Sequence, residues 1–170
     1  WTFLAHESEI PTPGDYVLRS IGEGPWIVVR DQPGSVNVLF DSCIHHGAQL
    51  CRGDKGNTTY FECPYHGWTY DGAGRLVAGP QKARAYKGLA TEKLGLHRAT
   101  QVGAFRGLIF ANLDPDALSL AEFLGDFRWY LDLHLGLGGG MEVIGEPNRW
   151  RIEADWKTAA ENFCGDSYHT

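Results

Sequence analysis

No apolar run in this 170-residue chain reaches the roughly 18 residues that a membrane-spanning helix needs. Positive charge is in short supply. Lys and Arg total 15 against 21 Asp and Glu, for a net charge of −6. With no basic stripe, nucleic acid is an unexpected partner. The chain opens on Trp1 rather than Met and has no charged-then-apolar leader, so a signal peptide is not expected. It shows no internal repeat, no low-complexity tract and no coiled-coil heptads. There are only four cysteines, at 43, 51, 63 and 164. An even count permits disulfides, but the placement of two of them points elsewhere. Hydrophobic residues make up 43%, with a mean hydropathy of −0.28, the balance of a soluble globular chain.

The chemistry is concentrated in two short segments, Cys43-Ile-His45 and Cys63-Pro-Tyr-His66-Gly-Trp68. Each offers one thiolate and one imidazole. Two thiolates suit one metal and two imidazoles another, as in a Rieske [2Fe–2S] centre with Cys₂ on one iron and His₂ on the other. The competing assignment is one zinc ion held by Cys₂His₂. Zinc fingers usually keep their cysteines together and their histidines together. Here each loop carries one of each, which favours the cluster. A metal-free reading, with four buried small or polar residues, leaves the paired loops and their glycines, Gly47 and Gly67, unexplained.

The runs Cys43-Ile-His45-His46-Gly47-Ala-Gln-Leu-Cys51-Arg52 and Cys63-Pro-Tyr-His66-Gly-Trp68-Thr-Tyr70-Asp-Gly72 resemble the α subunit of bacterial Rieske-type aromatic-ring-hydroxylating dioxygenases. So do Phe105-Arg-Gly-Leu-Ile-Phe-Ala-Asn-Leu-Asp114 and the segment from Trp156 to Thr170. One departure is His46, where that family usually has Arg. Respiratory-type Rieske proteins carry an extra cysteine in each loop, and these pair. Here the corresponding positions are Ala48 and Tyr65, so that disulfide is not expected. Cys51 and Cys164 are expected to be free thiols, as in a reducing cytoplasm. A low reduction potential is expected, because Trp68 stands where the high-potential type has a serine that bonds the cluster.

Strand patterning runs from residue 13 to residue 112. Tyr16–Ile21, Trp26–Arg30, Val36–Phe40, Thr58–Glu62, Trp68–Tyr70, Arg75–Ala78 and a strand or strand pair over Gln101–Asn112 are expected. Turns fall at Gly22-Glu-Gly24-Pro25, Asp31-Gln-Pro33-Gly34 and Asp71-Gly-Ala-Gly74. Short strands at close spacing predict an antiparallel β-sandwich or barrel. The capping box Ser119-Leu-Ala-Glu122 then opens a helix through Leu135, with Gly136 as its stop. Strands at Met141–Gly145 and Trp150–Ala154, and a helix capped by Asp155, complete the expectation. The chain is thus mainly β with an α+β second part. Residues 1–118 form a Rieske domain, and 119–170 open a truncated helix-plus-sheet catalytic domain.

The resemblance implies a terminal oxygenase component. NAD(P)H would supply electrons through a reductase and often a ferredoxin. The [2Fe–2S] cluster, on Cys43, His45, Cys63 and His66, would pass them to a mononuclear Fe(II). That iron would use O₂ to cis-dihydroxylate an aromatic substrate. His169 matches the first ligand of this iron, and the others would lie beyond residue 170. The 170 residues alone are therefore expected to be inactive. Asp166 matches a carboxylate that relays electrons between subunits. Asn162 and Phe163 match positions beside the substrate. The assembly implied is α₃ or α₃β₃, with a small β subunit. The alternative is a Rieske ferredoxin, an electron carrier without catalysis. The helices after residue 118 count against it. Trp68 and Tyr70 read as packing around the cluster, and His6, His97 and His134 as surface or structural residues.

Overall fold

The computed structural model describes residues 1–80, 84 and 93–165. Among these residues, ten strands form three antiparallel sheets. Strands β1 (Thr2–His6), β9 (Gln101–Phe105) and β10 (Leu108–Asn112) pair in the order β1-β10-β9. Strands β2 (Asp15–Ile21), β3 (Gly24–Arg30), β4 (Val36–Phe40) and β5 (Lys55–Asn57) pair as β4-β3-β2-β5. A third sheet is the meander β6 (Tyr60–Glu62), β7 (Thr69–Asp71) and β8 (Leu76–Ala78).

Strand β3 explains why these sheets stack. Successive side chains on a strand point to opposite faces. Ile27 and Val29 enter one core, with Leu39, Phe61, Tyr70, Leu76 and the two loop cysteines. Trp26 and Val28 enter another, with Leu4, Ile10, Val17, Val38 and Ile109. The apolar run Trp26–Val29 is thus buried on both faces, so the β2–β4 sheet is the middle layer. At about 1.5–3 kcal/mol for each buried large aliphatic side chain, this strand is a main source of cohesion.

The predicted turns close these strands. Gly34 N–H donates to the Asp31 carbonyl at 2.9 Å, and Gly74 N–H to that of Asp71 at 2.8 Å. Gln101–Asn112 is a strand pair, with Gly107 at the bend. Strands β1 and β5 carried no sequence expectation. β5 is three residues long and exposed, with no apolar alternation to mark it.

The second part departs from expectation in two places. The helix expected from Ser119 to Leu135 is two helices, α1 (Leu120–Leu124) and α2 (Phe127–Leu135). Gly125 adopts φ +48° and ends the first, whereas the apolar spacing continues across the break. The capping box at Ser119 and Glu122 and the stop at Gly136 are present. Leu120 and Leu124 bury against Phe110. Residues 141–145 and 150–154 form no strand. Their apolar residues stand in solvent, with Ile144 91% and Trp150 76% exposed, and a strand without a neighbour has no ladder to hold it. Helix α3 (Trp156–Cys164) follows, capped by the Asp155 carboxylate accepting from Lys157 N–H at 2.9 Å.

Candidate metal centre

The two loops leave the ends of β4 and β6 and share one backbone frame. In the first, Cys43 N–H donates to the Ala48 carbonyl at 2.8 Å, and Gly47 N–H to the Cys43 carbonyl at 2.7 Å. In the second, Cys63 N–H donates to Trp68 at 2.7 Å, and Gly67 N–H to Cys63 at 2.9 Å. Each frame turns through a glycine at positive φ, +75° at Gly47 and +65° at Gly67. This is backbone that a side chain would strain.

The frames set the donors at two depths. Both thiols are 2% exposed, at the roots of the loops. The imidazoles of His45 and His66 are half-buried at the tips, with ring centroids 4.8 Å apart. Their Nδ1 atoms are buried and have no hydrogen-bond partner. An unpaired buried polar nitrogen is costly and calls for an explanation; a metal bond supplies one for both. Trp68 stacks on His45 at 4.7 Å and 5°, and Tyr65 on His66 at 3.8 Å. These contacts fix ring orientation. His45 is held below the usual imidazole range by desolvation and by the neighbouring His46 and His66, so the neutral, metal-competent form is favoured.

Sequence reasoning placed Tyr70 in the packing and did not see its chemistry. The side chain is fully buried, and its hydroxyl lies 3.2 Å from Cys43 Sγ. Burial and the adjacent Cys43 raise its pKa, so the phenol keeps its proton and can donate it to the sulfur. Asp41 was also missed. It is fully buried, and its Oδ1 accepts from Leu50 N–H at 2.9 Å and Cys51 N–H at 3.2 Å. That ties the residue before the first loop to the residues after it. Burial, followed by Asp41 and opposed by Tyr16, pushes the Cys51 thiol up to about 12, leaving it protonated.

Among the described residues, the ligand atoms of His45, His46 and His66 lie within 4.8 Å of one another; neither thiol belongs to that set. Asn162 and Phe163 lie on α3, beside an open apolar hollow of about 610 Å³ shared with Trp150, Ile152 and Trp156. The hollow lined by His45, His66, Gly67, Trp68 and Pro80 is a separate one. Asp166 and His169 lie outside the described residues. His6 is buried, and its Nδ1 accepts from Ser8 N–H at 3.1 Å, whereas His97 and His134 are exposed. No helix among the described residues is long and apolar enough to cross a membrane.

Residues 1–101 match the Rieske [2Fe-2S] domain. The chain belongs to the Rieske [2Fe–2S] domain family. It is 48% identical over 171 residues to the N,N-dimethyl phenylurea N-demethylase subunit alpha of Sphingobium sp. (strain YBL2), covering 99% of this chain and 37% of that protein. It is 42% identical to the biphenyl 2,3-dioxygenase subunit alpha of Rhodococcus jostii (strain RHA1), again over 99% of this chain and 37% of the relative. Among solved structures, the naphthalene 1,2-dioxygenase of Rhodococcus sp. bound to indole superposes with a TM-score of 0.94 at 48% identity. That match covers all of this chain and 39% of the other. The Rieske family thus accounts for the paired loops, and the relatives are α subunits of Rieske oxygenases spanning more than twice this length.

Proposed function

We propose that this chain is the electron-accepting part of a Rieske oxygenase α subunit, with a [2Fe–2S] cluster on Cys43, His45, Cys63 and His66. The observation that carries the reading is the pair of unpartnered Nδ1 atoms and the two buried thiols, carried on two loops of the same frame. When bound, the cluster supplies one-electron transfer, and a mononuclear iron supplies O₂ activation. The protein's own part is to place and shield. Cys43 and Cys63 would hold the cluster from the buried roots of the loops, and His45 and His66 from the half-buried tips. Trp68 and Tyr65 hold those rings, and Tyr70 holds the Cys43 sulfur.

The division at residue 118 belongs to this reading: residues 1–118 carry the cluster, and 119–170 open the iron-binding part. In it, His169 is one iron ligand, Asp166 relays electrons between subunits, and Asn162 and Phe163 border the substrate. Reductase and ferredoxin bring electrons from NAD(P)H, and the assembly is α₃ or α₃β₃. The substrate class is aromatic, with cis-dihydroxylation as the reaction. A second reading, oxidative N-demethylation of an aryl urea, draws on the 48% identity to the Sphingobium subunit, a figure matched by the Rhodococcus naphthalene 1,2-dioxygenase. A ferredoxin-type carrier is disfavoured by α3 and its capping Asp155.

The test is anaerobic reconstitution with iron and sulfide. Two irons, two sulfides and a rhombic EPR signal on reduction are expected, lost in Cys43→Ser and kept in Cys51→Ser. One zinc per chain and no reducible chromophore would refute the reading. In the full-length enzyme, Asp166→Ala is expected to keep both metals and lose nearly all turnover; loss of the mononuclear iron would instead make Asp166 a ligand.

A further inference from the structure

The two metal loops do not carry the same number of imidazoles. The second loop has one, His66, at the fourth position of its frame. The first has two, His45 at the third position and His46 at the fourth. His46 therefore occupies in its loop the place that His66 occupies in the other. Its ring lies 4.0 Å from that of His45 and 5.2 Å from that of His66. With His45 and His66 themselves 4.8 Å apart, the three rings form a compact triangle at the loop tips.

We propose that, before the cluster is assembled, His45, His46 and His66 form a three-imidazole site for a single divalent transition-metal ion of the zinc, nickel or cobalt type. Their ligand nitrogens already lie within 4.8 Å of one another. A tetrahedral ion with metal–nitrogen bonds near 2.0–2.1 Å needs neighbouring donors roughly 3.4 Å apart. The exposed His46 ring, at the tip of its loop, turns towards the other two to close the gap. Two of the rings have no hydrogen bond at Nδ1 to give up. Imidazole is a donor that such ions favour, and three histidines with one open position make an accepted zinc geometry.

The thiols stay out of this site. Both lie in the core at 2% exposure, and Cys43 Sγ is engaged by the Tyr70 hydroxyl. An ion at the imidazole triangle is therefore bound without thiolate. It occupies two residues that the proposed cluster needs, so ion and cluster exclude one another. This consequence alone rests on the cluster reading; the site itself does not. His46 is then the residue that makes the unloaded chain vulnerable to a stray ion.

Cobalt(II) is the probe, added anaerobically to the cluster-free full chain. One ion per chain is expected, with visible ligand-field bands and no thiolate-to-cobalt charge-transfer band. His46→Gln should weaken binding by about tenfold or more. A charge-transfer band in the parent chain would overturn the proposal without recourse to any variant. So would the absence of a bound ion, or His46→Gln affinity equal to the parent's. As a second measurement, zinc should slow cluster assembly in the parent and have little effect on His46→Gln; equal inhibition of both would also overturn it. Failure of the parent to assemble a cluster in zinc-free buffer would instead count against the cluster reading, so the two failures are told apart.

Discussion

The Tyr70 hydroxyl lies 3.2 Å from the Cys43 sulfur, across 27 residues of sequence, and both side chains are almost wholly withdrawn from solvent. Hydrogen bonds to ligand sulfurs are among the factors that set the potential of such clusters. A reduced cluster carries more negative charge on sulfur and accepts the bond more strongly, so the bond raises the potential. Tyr70→Phe should lower it. A difference of about 1 kcal/mol between redox states corresponds to ~43 mV for one electron. Protein-film voltammetry checks this. The parent value is expected at the low end of the roughly −150 to +300 mV range; an unchanged potential in Tyr70→Phe would show that the bond does not reach the cluster's charge.

Asp41 braces the first loop from below. Its Oδ1 accepts the N–H groups of Leu50 and Cys51. Asp41→Ala strands both, at a cost of about 1–3 kcal/mol for each buried donor left unpaired. Asp41→Asn keeps an acceptor oxygen in place. The expected order is faster iron release to a chelator in Asp41→Ala and near-parental release in Asp41→Asn, with the denaturation midpoint falling most in the alanine variant.

Gly107 is required by His6. A Cβ added at Gly107 would stand 2.1 Å from His6 Nε2, and the residue has φ +83°. Gly107→Ala should therefore cost about 1–3 kcal/mol through overpacking, with backbone strain in addition. Truncating the ring should relieve only the clash. In a denaturation double-mutant cycle, His6→Ala and Gly107→Ala should be less costly together than the sum of each alone.

Asp15 links stability to pH. Burial tends to raise its pKa, but hydrogen bonds from Asn57 and Thr12, with the Arg30 charge, outweigh burial and hold it below 3.8. A lowered folded-state pKa contributes stability that is present above the unfolded value and lost as pH falls through the folded one. Asp15→Asn should therefore be less stable than the parent at neutral pH. The gap in urea midpoint should close as pH drops below about 3.8; a gap independent of pH would show that the carboxylate's charge plays no part.

Local pattern was enough to find several features of this chain. The two Cys/His segments are short loops with their glycines in place. The strands from β2 to β10, apart from β5, follow the apolar runs and their turns. The caps at Ser119 and Asp155 act over three residues or fewer, and the structure has both. Tertiary structure decided the rest. That the Nδ1 atoms of His45 and His66 are buried and unpartnered is not written in the sequence. The Tyr70–Cys43 bond joins residues of different strands and loops. Asp41 becomes a brace only when the chain around it excludes water. The segments 141–145 and 150–154 have strand-like composition but no paired neighbour, and Gly125 breaks a helix whose apolar spacing runs straight through it. Periodicity and capping are energies between near neighbours in the chain, so they are written in order along it. Burial, strand pairing and the approach of one side chain to another depend on residues far apart, and these are set only once the sheets have stacked.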